Sequence, residues 1–189
     1  MAKILILGAG AMGSAFSVPS LERQHDVIIV GTHLQDAFID EIKNNNNFHP
    51  GLKLYLSEKT NIVKYMNLSD EFKKKPDLIV LGVNSKGINW VVDQLSVFFN
   101  GSILPPILML TKGLGVYENK YELLVDKLER LLISKGFNNI NISAVAGPCL
   151  ANGLANKVHT SVIFANKNLE TVEWLKDILT TDYYHPSIS

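Results

Sequence analysis

The sequence predicts an α/β protein with a doubly wound, mostly parallel sheet and helices on both faces. Three observations predict it. Short continuous apolar runs read as strands buried on both faces, segments with helical spacing alternate with them, and a glycine-rich turn follows the first run.

Lys3 to Leu7 is the first such run, and Gly8-Ala9-Gly10-Ala11-Met12-Gly13 follows at once. Small and apolar residues continue through Phe16 and Leu21, as expected of a helix packed closely on a sheet, with Pro19 expected to bend or shorten it. Val27 to Val30 is the second strand and completes a βαβ unit. Asp36 to Lys43 reads as a short helix, and the asparagine tract 44–47 with Phe48-His49-Pro50-Gly51 as a mobile loop. Asn61 to Met66 is a third, weak strand, and Asp70 to Lys75 a short polar helix. Leu78 to Val83 is the fourth strand. Ile88 to Phe99 has helical spacing, with Asn100-Gly101 as its stop. Ile107 to Leu110 is the fifth strand, Tyr121 to Ile133 a helix, Asn141 to Ala146 the sixth strand and Thr160 to Ala165 the seventh. Leu169 to Leu179 reads as an amphipathic helix, and Tyr183-Tyr184 as the start of an element that barely continues. No repeat or interdomain linker is visible, so residues 1–189 read as one dinucleotide-binding domain.

Composition narrows the function classes. The 189 residues are 47% apolar, enough for a sizeable core, and 18 basic residues balance 18 acidic ones. That balance leaves no broad basic footprint for nucleic acid or an anionic membrane surface, so phosphate recognition must be local. The single Cys149 cannot form an intramolecular disulfide, and the five histidines lack zinc-ligand spacing, so no metal is expected and a reducing cytoplasm is the default compartment. No apolar run approaches a membrane span, and the opening run breaks into glycine too early for a signal peptide.

The spacing Gly8, Gly10, Gly13 is weak alone, but here it follows a buried strand, opens a helix and lies within a βαβ unit. In such a Rossmann-like unit the first glycine makes the tight turn, the second lets the pyrophosphate approach, and the third lets helix and strand pack closely. The first helical N–H groups then face the phosphates. An acid at the end of the second strand would bond a ribose 2'-hydroxyl, but this chain reads Gly31-Thr32-His33, which leaves NAD and NADP both open.

Ligands of doubly wound sheets sit beyond the carboxyl ends of the strands. The fourth strand ends in Gly82-Val83-Asn84-Ser85-Lys86, which reads either as a wall along the cofactor or as a helix start capped by Asn84 or Ser85. Lys112 follows the fifth strand beside Gly113 and Gly115, where its cation is placed to hold a phosphate or polarise a carbonyl; an exposed lysine is otherwise a solvated charge. The sixth strand runs into Gly147-Pro148-Cys149, with Ala151 opening a helix whose amides face an anion. No histidine lies near Cys149 in sequence, so a small core residue is the expected reading rather than a nucleophile.

Together the pieces ILGAGAMGSAF, HDVIIVG, FHPGLKL, PDLIVLGVNSKG, LMLTKGLG and AVAGPCLANGLA resemble, in order, the NAD(P)-dependent glycerol-3-phosphate dehydrogenase family. The resemblance implies reversible hydride transfer between a nicotinamide and C2 of sn-glycerol 3-phosphate or dihydroxyacetone phosphate. It implies that Ala11 and Met12 contact the pyrophosphate side of NAD or NADP, Thr32 the adenosine ribose, and Ala151 the cofactor through its backbone. It implies that Lys112 touches both cofactor and substrate, and that Gly147 and Cys149 line a small phosphorylated substrate. Ala146, Asn152, Gly153 and Asn84 depart from the family pattern and bear on the substrate more than on the cofactor. The family's acid/base lysine and its phosphate-binding arginine and asparagine lie in a helical domain that begins after a segment like Tyr183-Tyr184. The chain is therefore expected to carry the cofactor half without that domain and to be inactive alone, with a homodimer left open for the full-length enzyme. The alternatives are a related reductase of another ketone and a nucleotide-sensing module without catalysis.

Overall fold

A computed structural model describes residues 1–100 and 102–189. In chain order its strands and α-helices are β1 (Lys3–Leu7), α1 (Ala11–Glu22), β2 (Asp26–Val30), α2 (Asp36–Asn44), β3 (Phe48–His49), β4 (Leu54–Tyr55), β5 (Asn61–Val63), α3 (Leu68–Lys73), β6 (Leu78–Leu81), α4 (Ile88–Phe98), β7 (Ile107–Met109), β8 (Leu114–Tyr117), β9 (Lys120–Leu123), α5 (Leu124–Ser134), β10 (Ile142–Ala146), α6 (Ala151–Ala155), β11 (Thr160–Ala165), α7 (Leu169–Leu179) and β12 (Tyr184–Ile188). The expected stop of α4 at Gly101 lies outside the described residues.

Eight strands form the main sheet in the order β12, β11, β10, β7, β6, β1, β2, β5. The six from β10 to β5 are parallel; β11 runs antiparallel to β10, and β12 parallel to β11. The chain winds outward from β1 through β2 to β5, then returns to start again at β6. The sheet therefore reverses direction of growth between β1 and β6, where the following helices, α1 and α4, leave on opposite faces and a crevice opens beyond the paired strand ends.

Alternation along each strand divides the core in two. Ile4, Ile6, Val27, Ile29 and Val80 face Phe16 of α1, Ile39 and Ile42 of α2, and Val172 and Leu175 of α7. Leu5, Leu7, Val30, Ile79 and Leu81 face Phe72 of α3, Val91 and Leu95 of α4, and Leu128 and Leu132 of α5. Helices thus cover both faces, as doubly wound topology requires. Helix α1 lies close on its face because its buried Ser14, Ser17 and Ser20 are small and return their hydroxyl protons to the carbonyls of Ala9, Ser14 and Phe16.

Pro19 lies inside α1, and the helix runs past it to Glu22. Three expectations change. The stretch expected as a mobile loop is the β3–β4 hairpin, reached through left-handed Asn46 and Asn47 and pinned by the fully buried His49. Helix α5 begins at Leu124 rather than Tyr121, because Lys120–Leu123 pairs with Leu114–Tyr117 across a two-residue turn. Glu118 and Asn119 both have positive φ there, the geometry that suits tight hairpins. The element begun at Tyr184 is a full edge strand, where Pro186 costs no central ladder bond. Among the described residues no helix is long and apolar enough to cross a membrane.

Candidate functional site

The crevice between β1 and β6 is floored by three glycines that pack backbone against backbone. A Cβ on Gly13 would lie 2.1 Å from the Gly8 carbonyl oxygen, and one on Gly82 would lie 2.7 Å from the Gly13 Cα. Gly8 has φ +108°, a conformation that other residues rarely adopt. Gly10 behaves differently. A Cβ there would meet only the Gln35 Nε2 at 4.0 Å, so nothing among the described residues requires glycine at this position. The space it leaves opens into the crevice, which is the room a pyrophosphate needs. Ala11 and Met12 stand ahead of the first intrahelical bond of α1, donated by the Ser14 N–H to the Gly10 carbonyl at 2.9 Å. Their own N–H groups are available to an anion.

The crevice widens to a cleft of about 670 Å³, within the size range of cofactor sites. Its lining joins Gly8, Gly10, Ala11, Met12 and Thr32, all expected in the site, to Gln35, Trp90 and Asn84. Gln35 escaped the sequence reading. Its Oε1 accepts the Ala9 N–H at 3.1 Å and the Thr32 N–H at 2.9 Å, tying the glycine turn to the end of β2. Asn84 satisfies both of its expected readings: it lines the cleft, and its Oδ1 caps the turn before α4 by accepting from the Lys86 and Gly87 N–H groups at 3.0 and 3.2 Å.

His49, in the FHPGLKL segment, supports the turn from behind. Its Nδ1 accepts the Leu52 N–H at 3.2 Å, which places the proton on Nε2, 3.2 Å from the Ala9 carbonyl. The Phe38 ring meets the imidazole edge-on at 5.2 Å. Burial holds the His49 pKa below its ordinary value, against the opposing pull of the Ala9 carbonyl. The unfolded chain therefore binds the proton more readily, and the stability His49 supplies is full above the ordinary imidazole value of about 6.5 and lost as pH falls toward the folded one. From about pH 7 to about pH 5, the melting temperature of the native chain should fall more steeply than that of His49→Gln, measured by thermal unfolding. Parallel slopes would remove His49 from this role.

Lys112, Gly147, Cys149 and Ala151 lie past the ends of β7 and β10 and are not part of this cleft's lining, which reaches that side only at Thr111. The Lys112 ammonium donates to the Gly147 carbonyl, across 35 residues of sequence. Gly147 has φ +100°, and its carbonyl also accepts the Cys149 N–H at 3.1 Å. Cys149 is buried in the core shared with Phe16 and Tyr184, and burial raises its thiol pKa while nearby Lys112 pulls it down. The thiol thus stays protonated, as a core residue does and a nucleophile does not. Ala151 opens α6 and packs on the same core as Ala11 and Met12.

Family and fold similarities run along most of the chain. The model of the NAD-dependent glycerol-3-phosphate dehydrogenase N-terminus matches residues 3–172. The chain is 25% identical over 181 residues to an NADP(+)-dependent glycerol-3-phosphate dehydrogenase of Archaeoglobus fulgidus, covering 96% of this chain and 51% of the relative. It is 24% identical over 184 residues to the glycerol-3-phosphate dehydrogenase (NAD(P)+) of Mesoplasma florum, covering 96% and 52%. The chain thus spans about half the length of these curated relatives. The fold matches a solved glycerol-3-phosphate dehydrogenase of Coxiella burnetii with a TM-score of 0.79 at 19% identity, over 100% of this chain and 54% of that one.

Proposed function

This chain belongs to the NAD-dependent glycerol-3-phosphate dehydrogenase N-terminal family, and from that premise we propose that it is the cofactor-binding half of an enzyme interconverting sn-glycerol 3-phosphate and dihydroxyacetone phosphate. The observation that carries the reading is the contrast among the glycines. Gly8, Gly13 and Gly82 are demanded by packing, whereas no packing contact among the described residues demands Gly10, whose open side faces the cleft.

In this reading Gly8, Gly10, Ala11, Met12 and Gly13 hold the pyrophosphate on the amino end of α1, Thr32 faces the adenosine ribose, and Ala151 meets the cofactor through its backbone. The nicotinamide, when bound, supplies or accepts the hydride at C2 of the substrate. Lys112 is the cation on the substrate side, beside Gly147 and Cys149, where it complements the substrate phosphate or charge developing on the carbonyl oxygen. Reducing a ketone also requires a proton at that oxygen. The Cys149 thiol is buried and Lys112 is engaged electrostatically, so the donor is proposed to lie in the further helical domain of the full-length enzyme.

Two measurements test this together. The 189-residue chain should bind reduced nicotinamide cofactor, seen as a change in nicotinamide fluorescence, yet oxidise it with dihydroxyacetone phosphate about 100-fold or more slower than the full-length enzyme. Failure to bind cofactor would refute the site, and turnover by this chain at the full rate would refute the division of labour.

A further inference from the structure

The adenosine end of the cleft has a consistent polarity. Among the described residues lining it, none is an aspartate or glutamate. The first acid after β2, Asp36, opens α2 with its carboxylate turned away, accepting the Tyr65 N–H at 3.3 Å. The next, Asp40, is paired with Lys64 at 2.6 Å. The ribose therefore meets no carboxylate to accept its 2'-hydroxyl.

Donors take that place. Gln35 commits its Oε1 to two backbone N–H groups, which leaves its Nε2 hydrogens toward the cleft beside Gly10. Thr32 accepts weakly from the Leu34 N–H at 3.4 Å and keeps its own hydroxyl proton to give. The His33 ring is exposed at the rim, its centroid 5.9 Å from the Trp90 ring. Trp90 lies in the first turn of α4, and Lys86 stands four residues before it in the turn that Asn84 caps. Lys86 lines the same cleft, is exposed, and makes no salt bridge among the described residues. A wall of donors with one unpaired ammonium suits a dianionic phosphate better than a hydroxyl.

Resting on the cofactor reading above, we propose that this cleft selects the 2'-phosphorylated dinucleotide, NADP(H) over NAD(H), and that Lys86 is the residue that decides, with Thr32 and His33 completing the phosphate's contacts. Lys86 shares the cleft lining with Thr32, His33 and Trp90, and its long flexible stem gives the charge range along that wall while Trp90 supplies apolar surface.

The test is direct titration of the 189-residue chain with NADPH and with NADH, read by nicotinamide fluorescence. NADPH is expected to bind about tenfold or more tightly, the scale of one charge-assisted contact, and that ratio should shrink as salt is raised. Lys86→Ala should collapse the ratio toward one, and Thr32→Asp should invert it by adding the missing acid. Because Lys86 is exposed, Lys86→Ala should keep the circular dichroism of the native chain, and Lys86→Gln repeats the measurement should the alanine variant misfold; the same spectrum checks the fold of Thr32→Asp, whose site is half-buried. Equal binding of both cofactors, tighter binding of NADH, or an unchanged ratio in the Lys86 variants overturns the inference and leaves the site intact. Binding of neither cofactor overturns the cofactor reading itself.

Discussion

Gly13→Ala should unfold the chain far more readily than Gly10→Ala, although the two positions lie three residues apart in one turn. The methyl group added at Gly13 would sit 2.1 Å from the Gly8 carbonyl oxygen and 3.3 Å from its carbon, and both are backbone atoms of the strand-to-helix turn. No rotamer relieves that contact. Either α1 moves off β1, opening the face packed around Phe16, or the turn rebuilds. Overpacking of this kind costs about 3 kcal/mol or more, which in a domain of this size lowers the melting temperature by about 6–12 °C. The methyl group at Gly10 meets only a side-chain nitrogen at 4.0 Å, and the residue's φ of −73° suits alanine. Stability should therefore change by less than about 1 kcal/mol. Cofactor binding should nonetheless fall about tenfold or more, because the methyl group occupies the approach of the pyrophosphate. Thermal unfolding and fluorescence titration of the two variants separate packing from recognition. A Gly10→Ala variant that binds cofactor normally would show that the turn is structural only.

Much of this arrangement was legible in the residues. Lys3–Leu7 and Leu78–Leu81 are continuous apolar runs because both faces of a central parallel strand are covered, and that burial leaves its mark on consecutive positions. The glycine spacing was equally legible, since it reflects local backbone demands within six residues. What the sequence concealed was long-range. Nothing about a histidine in FHPGLKL announces a bond to Ala9, forty residues earlier, and a glutamine past the end of β2 carries no sign that its oxygen bridges two strands' ends. The β8–β9 hairpin was concealed for another reason. Its turn uses Glu118-Asn119 rather than a glycine, while Tyr121 and Leu124 continue the helical spacing of α5 backward into a strand. The edge strand β12 was missed because Pro186 argues against a strand everywhere except at an edge.

Lys112→Met in the full-length enzyme should lower kcat by about 100-fold or more while leaving the melting temperature nearly unchanged. The side chain is exposed, and its one partner among the described residues is the Gly147 carbonyl, which keeps the Cys149 N–H as a second donor at 3.1 Å. Removing the ammonium therefore strands no buried polar group, and exposed substitutions of this kind shift stability by about 0.5 kcal/mol or less. The catalytic loss is large for a different reason. If the proposed role holds, a cation held by the Gly147 carbonyl, next to Thr111 of the cleft lining, is in place before charge develops on the substrate, so no solvent has to reorganise around it. A strut and a catalytic cation make opposite predictions. If Lys112 only ties β7 to the β10 turn, the methionine variant should melt early and keep its kcat. If it anchors the substrate phosphate, KM should rise with kcat held. If it meets the carbonyl oxygen in the transition state, kcat should fall with KM nearly constant, because the interaction is then strongest at the top of the barrier. Steady-state kinetics beside thermal unfolding distinguish the three.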